Sequence, residues 1–439
     1  MNKSLYIVAF SLAFATTGIA QNNEGQDKTV DLGTQTTTEL RKTQAVSTIY
    51  SDELDKNATT SPYNAIYGLL PGLTVMQNTS WGTDKSRLNV RGRGSLNGDT
   101  PLFVVDGFAR PIEYINLSEI ESISVLKDGA ATALWGGRGA NGVVLITTKR
   151  GMYSKKEIKV DYKFGLGLPV NQPEFADAYT YAKARNEALR YDGLQPDMDE
   201  ASFLAGGNSD LYPNVDWQKE ALRNHTTSHQ LDITFRGGGK RLRYFSVLNY
   251  KNDMGLLNSK YTDYTDRYNS QMKKYFLNLR MNLDVDITDA TKLKLNMLGM
   301  LRETKRPTTS EATLFEQIFN TPSAAFPVQT QNGLWGSNNV LKTNPIANLA
   351  DVGYYKLNQR MLQADLRLIQ DLSVLTRGLS AELAIAYDNN ATYQETAKKS
   401  FMYQTIEKGT DGEPVYTNYG NPNDELEISN KGLANQYIH

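Results

Sequence analysis

Beyond residue 155 the chain alternates apolar and polar residues over long stretches. In "EIKVDYKFGLGL", Ile158, Val160, Tyr162, Phe164 and Leu166 share one face while Lys159, Asp161 and Lys163 take the other. "YFLNLRMNLDVDIT" sets Tyr275, Leu277, Leu279, Met281, Leu283, Val285 and Ile287 against Asn278, Arg280, Asn282, Asp284 and Asp286. "KLKLNML", "LQADLRL", "HQLDITF" and "AELAIAY" keep the habit, and "RLRYFSVLNY" follows it less cleanly. Two is the side-chain period of a strand, so the pattern predicts strands near 157–167, 229–236, 241–250, 274–288, 292–303, 360–370 and 379–389, with an eighth beginning at "ELEIS". Sandwiches and membrane barrels share this period, but the connections separate them. They run alternately long and short, the short ones at "RGGGK", "TDAT" and around "DLSVLTRG". Short turns at one rim and long loops at the other is the arrangement of an outer-membrane barrel.

Residues 44–151 read differently. "SPYNAIYGLLPG" places Ser61 as N-cap, Pro62 at the first helical position and Pro71-Gly72 as the stop of a short helix. Strands are expected at "LTVMQ", "RLNVRG", "PLFVV", "SISVL" and "VVLITT", with a turn at Asp106-Gly107. This is a small mixed α/β domain. Ahead of it, residues 21–43 are polar and read as an arm, with a hint of extended structure at "TVDL". The first twenty residues carry Lys3, an apolar run from Leu5 to Ala15, and small residues at Gly18 and Ala20, which is the pattern of a secretory signal cleaved near Ala20.

Within "GGRGANGVVLITTKRG", Gly137, Gly139 and Gly142 spell G-x-G-x-x-G. A dinucleotide site needs that pattern after a strand and at the start of a helix, where free N–H groups meet phosphate. Here the order is reversed: "DGAATALW", capped by Asp128 and stopped by Gly136, precedes the glycines and a β-branched strand follows. A helix-to-strand turn is the better reading.

Composition removes further chemistry. A net charge of −1 offers no field for nucleic acid, and the absence of cysteine removes disulfides, thiolates and Cys-based zinc sites. His225 and His229 stand four apart but precede a strand and lack a third ligand, so no metal is expected. With no nucleophile elbow or triad either, catalysis and cofactors are not expected. Tyrosine is abundant at 25 residues, and the loop stretches "YTDYTDRY" and "YQTIEKGTDGEPVYTNY" are candidates for stacking on sugar rings. The basic cluster of Lys149, Arg150, Lys155, Lys156 and Lys159 reads as a solvated or lumen-facing group.

Residues 88–151 resemble the plug domain of TonB-dependent outer-membrane transporters, the SusC/RagA-type branch above all. The matching pieces are Arg91-Gly92, Val105-Asp106-Gly107, the run from Ile120 through Lys127, Asp128 and Gly136, and the run through Gly137, Arg138, Gly139, Asn141 and Gly142. "DLYPNVDW", Asp210 to Trp217, is also similar to that family. The resemblance implies a fold: a plug domain over 44–151, then antiparallel strands of a transmembrane β-barrel with long extracellular loops over 152–439. It implies outer-membrane location and TonB-dependent import of an oligomeric glycan or peptide. The implied partners are TonB, a SusD-like lipoprotein lid and outer-membrane lipid. Thr29, Val30, Asp31, Leu32 and Gly33 are the candidate TonB box, and Arg138 is a candidate anchor to the wall. Seven or eight strands are too few to enclose a plug, which needs a barrel of about 22 strands. The chain is therefore expected to hold only part of the barrel and not to transport alone. A surface ligand-binding β protein and a siderophore receptor of the same architecture are the alternatives.

Overall fold

A computed structural model describes residues 10–11, 29–33, 36–38, 43–56, 59, 61–77, 86–94, 98–153, 156–421 and 425–439. Apart from Phe10–Ser11, a two-residue strand on the edge of the large sheet, the expected signal segment over 1–20 lies outside these residues, as does Lys155 of the basic cluster.

The small domain is built on a five-stranded sheet in the order Val46–Tyr50, Ile120–Leu126, Val143–Thr148, Leu102–Val105, Phe108–Ala109. "VVLITT" is apolar throughout because both of its faces are covered. Val144 and Ile146 join a core with Ile49, Ile123, Val125, Leu54 and Ile66, while Val143 and Leu145 face a second cluster with Val104, Leu126 and Trp135. The strand pairs parallel to Leu102–Val105 and antiparallel to Ile120–Leu126. The Asp106-Gly107 turn has φ of 48° and 94°, the pair of positive values that a tight two-residue hairpin demands.

The described residues of the arm, 29–33 and 36–38, are more ordered than their composition predicts. Thr29–Asp31 and Thr36–Thr38 pair as a hairpin, and Val30 and Leu32 are buried in the second plug cluster. The helix expected from "DGAATALW" is also shorter: Gly129–Thr132 is α-helical and Ala133–Gly139 continues as 3-10 turns broken at Gly136, where φ is 52°.

The large sheet is antiparallel. Its successive long strands are Lys156–Gly167, Thr226–Gly238, Leu242–Met254, Lys273–Asp286, Thr291–Pro307, Gly353–Asp371, Ser380–Lys398 and Glu427–Ile438, each paired with the next. The first and last of these do not pair with each other, so the sheet is open. The segment after Ser400, which reads as loop, holds a hairpin of Tyr403–Lys408 and Pro414–Tyr419 as well as the eighth strand. No described helix is long and apolar enough to cross a membrane; the alternating strands are the spanning candidates.

Register shows what the alternation is for. Ile233, Leu248, Leu279 and Leu362 lie on one face, and Leu248, Leu279 and Leu362 are exposed there. Asp232, Asn249 and Asn278 are neighbours on the other face, all buried. "RLRYFSVLNY" departs from clean alternation because Phe245 and Val247 are fully buried apolar residues on the inner face. Tyr114 of the plug packs with the inward Phe276, Leu298, Met300 and Met361.

Candidate functional site: the interface between plug and wall

The plug presents a row of polar groups to the inner face of the sheet. Asn116 begins a capping box: its side chain accepts from the Ser118 N–H, and the Glu119 carboxylate reaches back to the Asn116 N–H at 3.2 Å. That local turn aims Glu119 at the wall. Its carboxylate accepts from Arg280 Nε at 2.5 Å and from the Asn278 amide, with the Arg280 and Glu119 side chains 2% and 0% exposed. Ser118 accepts from Asn249 at 2.8 Å, and Asn282 donates to Thr148 Oγ1 and to the Lys149 carbonyl, both at 2.8 Å.

Further along, Arg110 reaches two strands at once. Its Nη1 lies 2.6 Å from Asp365, and Nε and Nη2 grip Asp388 at 3.1 and 2.8 Å. Asn296 holds the far oxygen of Asp365 at 2.5 Å. The Asp106-Gly107 turn docks beside this group: Arg367 donates to the Asp106 carbonyl at 3.0 Å, and the Asp106 carboxylate accepts from Thr148 N and Oγ1. A Cβ on Gly107 would stand 2.6 Å from Arg367 Nη2 and displace that guanidinium, and the φ of 94° strains any other residue there. Arg150 pairs with Asp284 at 3.3 Å, nearer the rim of short turns.

The family-like residues fall into two sets. Asp106 and Gly107 belong to this interface, while Val105 before them is buried in the plug core. Lys127 and Asp128 instead lock the plug internally: Lys127 Nζ donates to Ser47 Oγ and the Pro71 carbonyl, and Asp128 accepts from the Ala45 and Ala131 N–H groups. Those backbone donors, Ala45 first, hold the Asp128 carboxyl below its usual range. Asn141 donates to the Gly98 carbonyl, and Arg91 and Gly92 form a turn with φ of 58° and 84°. Arg138 is exposed and has no ion pair among the described residues, whereas Arg110, which no local sequence signal marks, reaches Asp365 and Asp388 on the wall.

Gly142 has φ of 88° and packs on Val90, 2.8 Å from where a Cβ would sit, whereas Gly137 has open space. Gly142→Ala should therefore destabilise the plug by about 2–3 kcal/mol, and Gly137→Ala by less than about 1. Denaturant titration of the two variants checks the contrast; equal effects would contradict it.

The remaining sequence candidates separate cleanly. His225 precedes the second barrel strand and His229 sits within it, its Nδ1 2.7 Å from the Tyr162 hydroxyl and its ring near Phe164; no metal-binding group of His, Asp and Glu exists among the described residues. The long loops fold together around a core that includes Trp217, Leu257, Tyr261, Leu314, Phe326, Trp335 and Ile346. Helices Ala178–Tyr191 and Glu311–Asn320 lie in these loops, N-capped by Asp177 and Ser310. "DLYPNVDW" ties them: Asp210 accepts from Tyr416 and the Gln331 N–H, and Trp217 donates to the Pro322 carbonyl. Several loop tyrosines are engaged in packing, Tyr264 against Trp335 and Tyr403 against Tyr419.

Comparison with known proteins agrees with this geometry. Residues 38–143 match the TonB-dependent Receptor Plug Domain family. The chain is 28% identical over 281 residues to TonB-dependent receptor P26 of Formosa agariphila, covering 62% of this chain and 26% of that protein. It is 30% identical over 255 residues to TonB-dependent receptor SusC of Bacteroides thetaiotaomicron, covering 54% of this chain and 24% of that one. In fold it is similar to the RagAB peptide importer in its open-open state, with a TM-score of 0.68 at 18% identity over 94% of this chain and 54% of that one. The matched region thus spans about a quarter of the curated relatives' length and about half of the solved chain. A plug match over residues 38–143, SusC-like sequence over about half of the chain and a RagAB-like fold coincide: the chain carries a TonB-dependent receptor plug domain and is similar to the SusC/RagA-type receptors.

Proposed function

We propose that this chain supplies the plug and part of the barrel wall of an outer-membrane importer for oligomeric nutrients, driven by TonB. The family is one of outer-membrane receptors. The observation that carries the reading is the two-sidedness of the sheet: an apolar face turned outward, and a polar face occupied by a plug through Glu119–Arg280 and Arg110–Asp365–Asp388. A plug held by ion pairs and hydrogen bonds can be displaced and re-seated, as a gate requires, while lipid holds the wall. On this reading the chain has no catalytic role and no cofactor.

The finer assignments follow from similarity. RagAB is described as a peptide importer, which favours a peptide oligomer as cargo; a glycan oligomer and a SusD-like lipoprotein lid over the loops are proposed from the resemblance to the SusC/RagA-type branch. Thr29 to Gly33 is the proposed TonB box: an extended segment pairs readily with a sheet edge of a partner. Its Val30 and Leu32 are buried on the plug, so engagement would require this strand to leave its hairpin. Deleting Thr29 to Gly33 from the intact receptor should abolish uptake while leaving surface binding of cargo unchanged. Uptake at the normal rate would remove the assignment.

A further inference from the structure

The outward face of the sheet carries a charged cluster that neither the plug nor the loops explain. Along four adjacent strands the apolar surface ends at Tyr275, Leu301, Leu362 and Tyr387. Tyr275 pairs with Glu303, Leu301 with Arg360, and Leu362 with Asn389, so the limit moves one register row toward the short-turn rim at each strand. A boundary that steps in this way is what a flat membrane surface cuts across tilted strands.

Immediately beyond that line, on the side of the long loops, Lys273, Lys305 and Lys356 stand abreast in one register row, and Arg360 is on the same face. Glu303 partners Lys305 and Lys356 at 3.4 and 3.1 Å, and Glu395 lies opposite Lys356 and accepts from Tyr354. Two positive charges are left over. The Lys273 and Arg360 side chains have no ionic or hydrogen-bond partner among the described residues, and Arg360 is exposed. Like charges set directly opposite one another oppose sheet pairing unless an anion lies over them. Beside Arg360 the surface is hollowed into a groove of about 540 Å³, with Asn358, Tyr393 and the small residues Ala391, Gly432 and Ala434 among its lining.

We infer that this face binds a lipid of the outer leaflet through phosphates on its headgroup. Arg360 and Lys273, two strands and four register positions apart, take separate phosphates, Lys305 and Lys356 supplement the field beside Lys273, and the groove over Ala391, Gly432 and Ala434 beside Arg360 seats the adjoining part of the molecule. Charge complementarity selects an anionic occupant, and the cluster's place at the end of the apolar band selects a lipid over a soluble anion. The inference rests on the membrane-spanning reading of the sheet.

The test uses the intact receptor in neutral detergent, with native mass spectrometry as readout. The probe is a bisphosphorylated disaccharide lipid, compared with the same lipid after removal of both phosphates. The wild type should prefer the phosphorylated form by about tenfold or more, and Lys273→Gln combined with Arg360→Gln should abolish that preference. Equal binding of the two lipids, or a preference that survives in the double variant, overturns the inference. A parallel measurement separates this failure from failure of the membrane reading. Leu279→Trp in vesicles containing brominated lipid should be quenched. Quenching without a phosphate preference overturns the lipid site alone, whereas an unquenched Trp at 279 overturns both.

Discussion

Arg280→Met will loosen the plug from the wall by about 3–5 kcal/mol, because it leaves a buried carboxylate with no cation. Glu119 is fully buried, and its remaining partners, the Asn116 N–H and the Asn278 amide, are neutral donors. Removal of one partner is the costly change; removal of both is not. Arg280→Met together with Glu119→Gln should recover most of the loss, since the orphaned charge disappears while the capping turn keeps an acceptor. The protein has no cysteine, so Leu134→Cys, at an exposed plug position, can carry a single fluorophore. Plug release in urea, followed by that label in the intact receptor, should show a lower midpoint for Arg280→Met and a near-normal one for the pair. A double variant as weak as the single would show that the ion pair is not what holds this end of the plug.

The strands were legible in the sequence because lipid and lumen impose opposite chemistry on alternate residues, and a strand spanning them must record both. The turn at Asp106-Gly107 was legible for a local reason, its positive φ values. The interface was not. Glu119 and Arg280 are 161 residues apart, and Arg110 stands 255 and 278 residues from Asp365 and Asp388. Each of the wall residues reads, in its own strand, as one more polar position in an alternating run. Nothing local distinguishes Asp365 from Asp284, or Arg110 from the exposed Arg138. The loop helices are hidden for another reason: the caps at Asp177 and Ser310 are local signals, but in a polar segment between two strands they do not stand out from ordinary connection. The ordering of Thr29 to Gly33 was hidden because a five-residue polar-flanked stretch carries no sign of the cluster, built by Val104, Leu126 and Val143, on which it rests.

Arg110→Ala should have an effect of at least comparable size and a different compensation pattern. One guanidinium serves two carboxylates from adjacent strands, with the Arg110, Asp365 and Asp388 side chains 3%, 2% and 12% exposed. Its loss leaves two acids facing a common gap, so repulsion adds to desolvation, and about 4 kcal/mol or more of docking free energy is expected to go. Arg110→Lys should rescue only part of this, since an ammonium cannot reproduce the fork that grips Asp388 through Nε and Nη2 while Nη1 reaches Asp365. Neutralising one acid by Asp365→Asn in the Arg110→Ala background should restore part of the midpoint, and neutralising both by adding Asp388→Asn should restore more. A flat response across that series would mean the carboxylates do not depend on Arg110. The two clamps also engage different strands, Glu119 on the fourth and Arg110 on the sixth and seventh, so their losses should add in a combined Arg280→Met and Arg110→Ala receptor. A plug that releases at the lower of the two single-variant midpoints, with no further loss, would instead mark the interface as one cooperative unit.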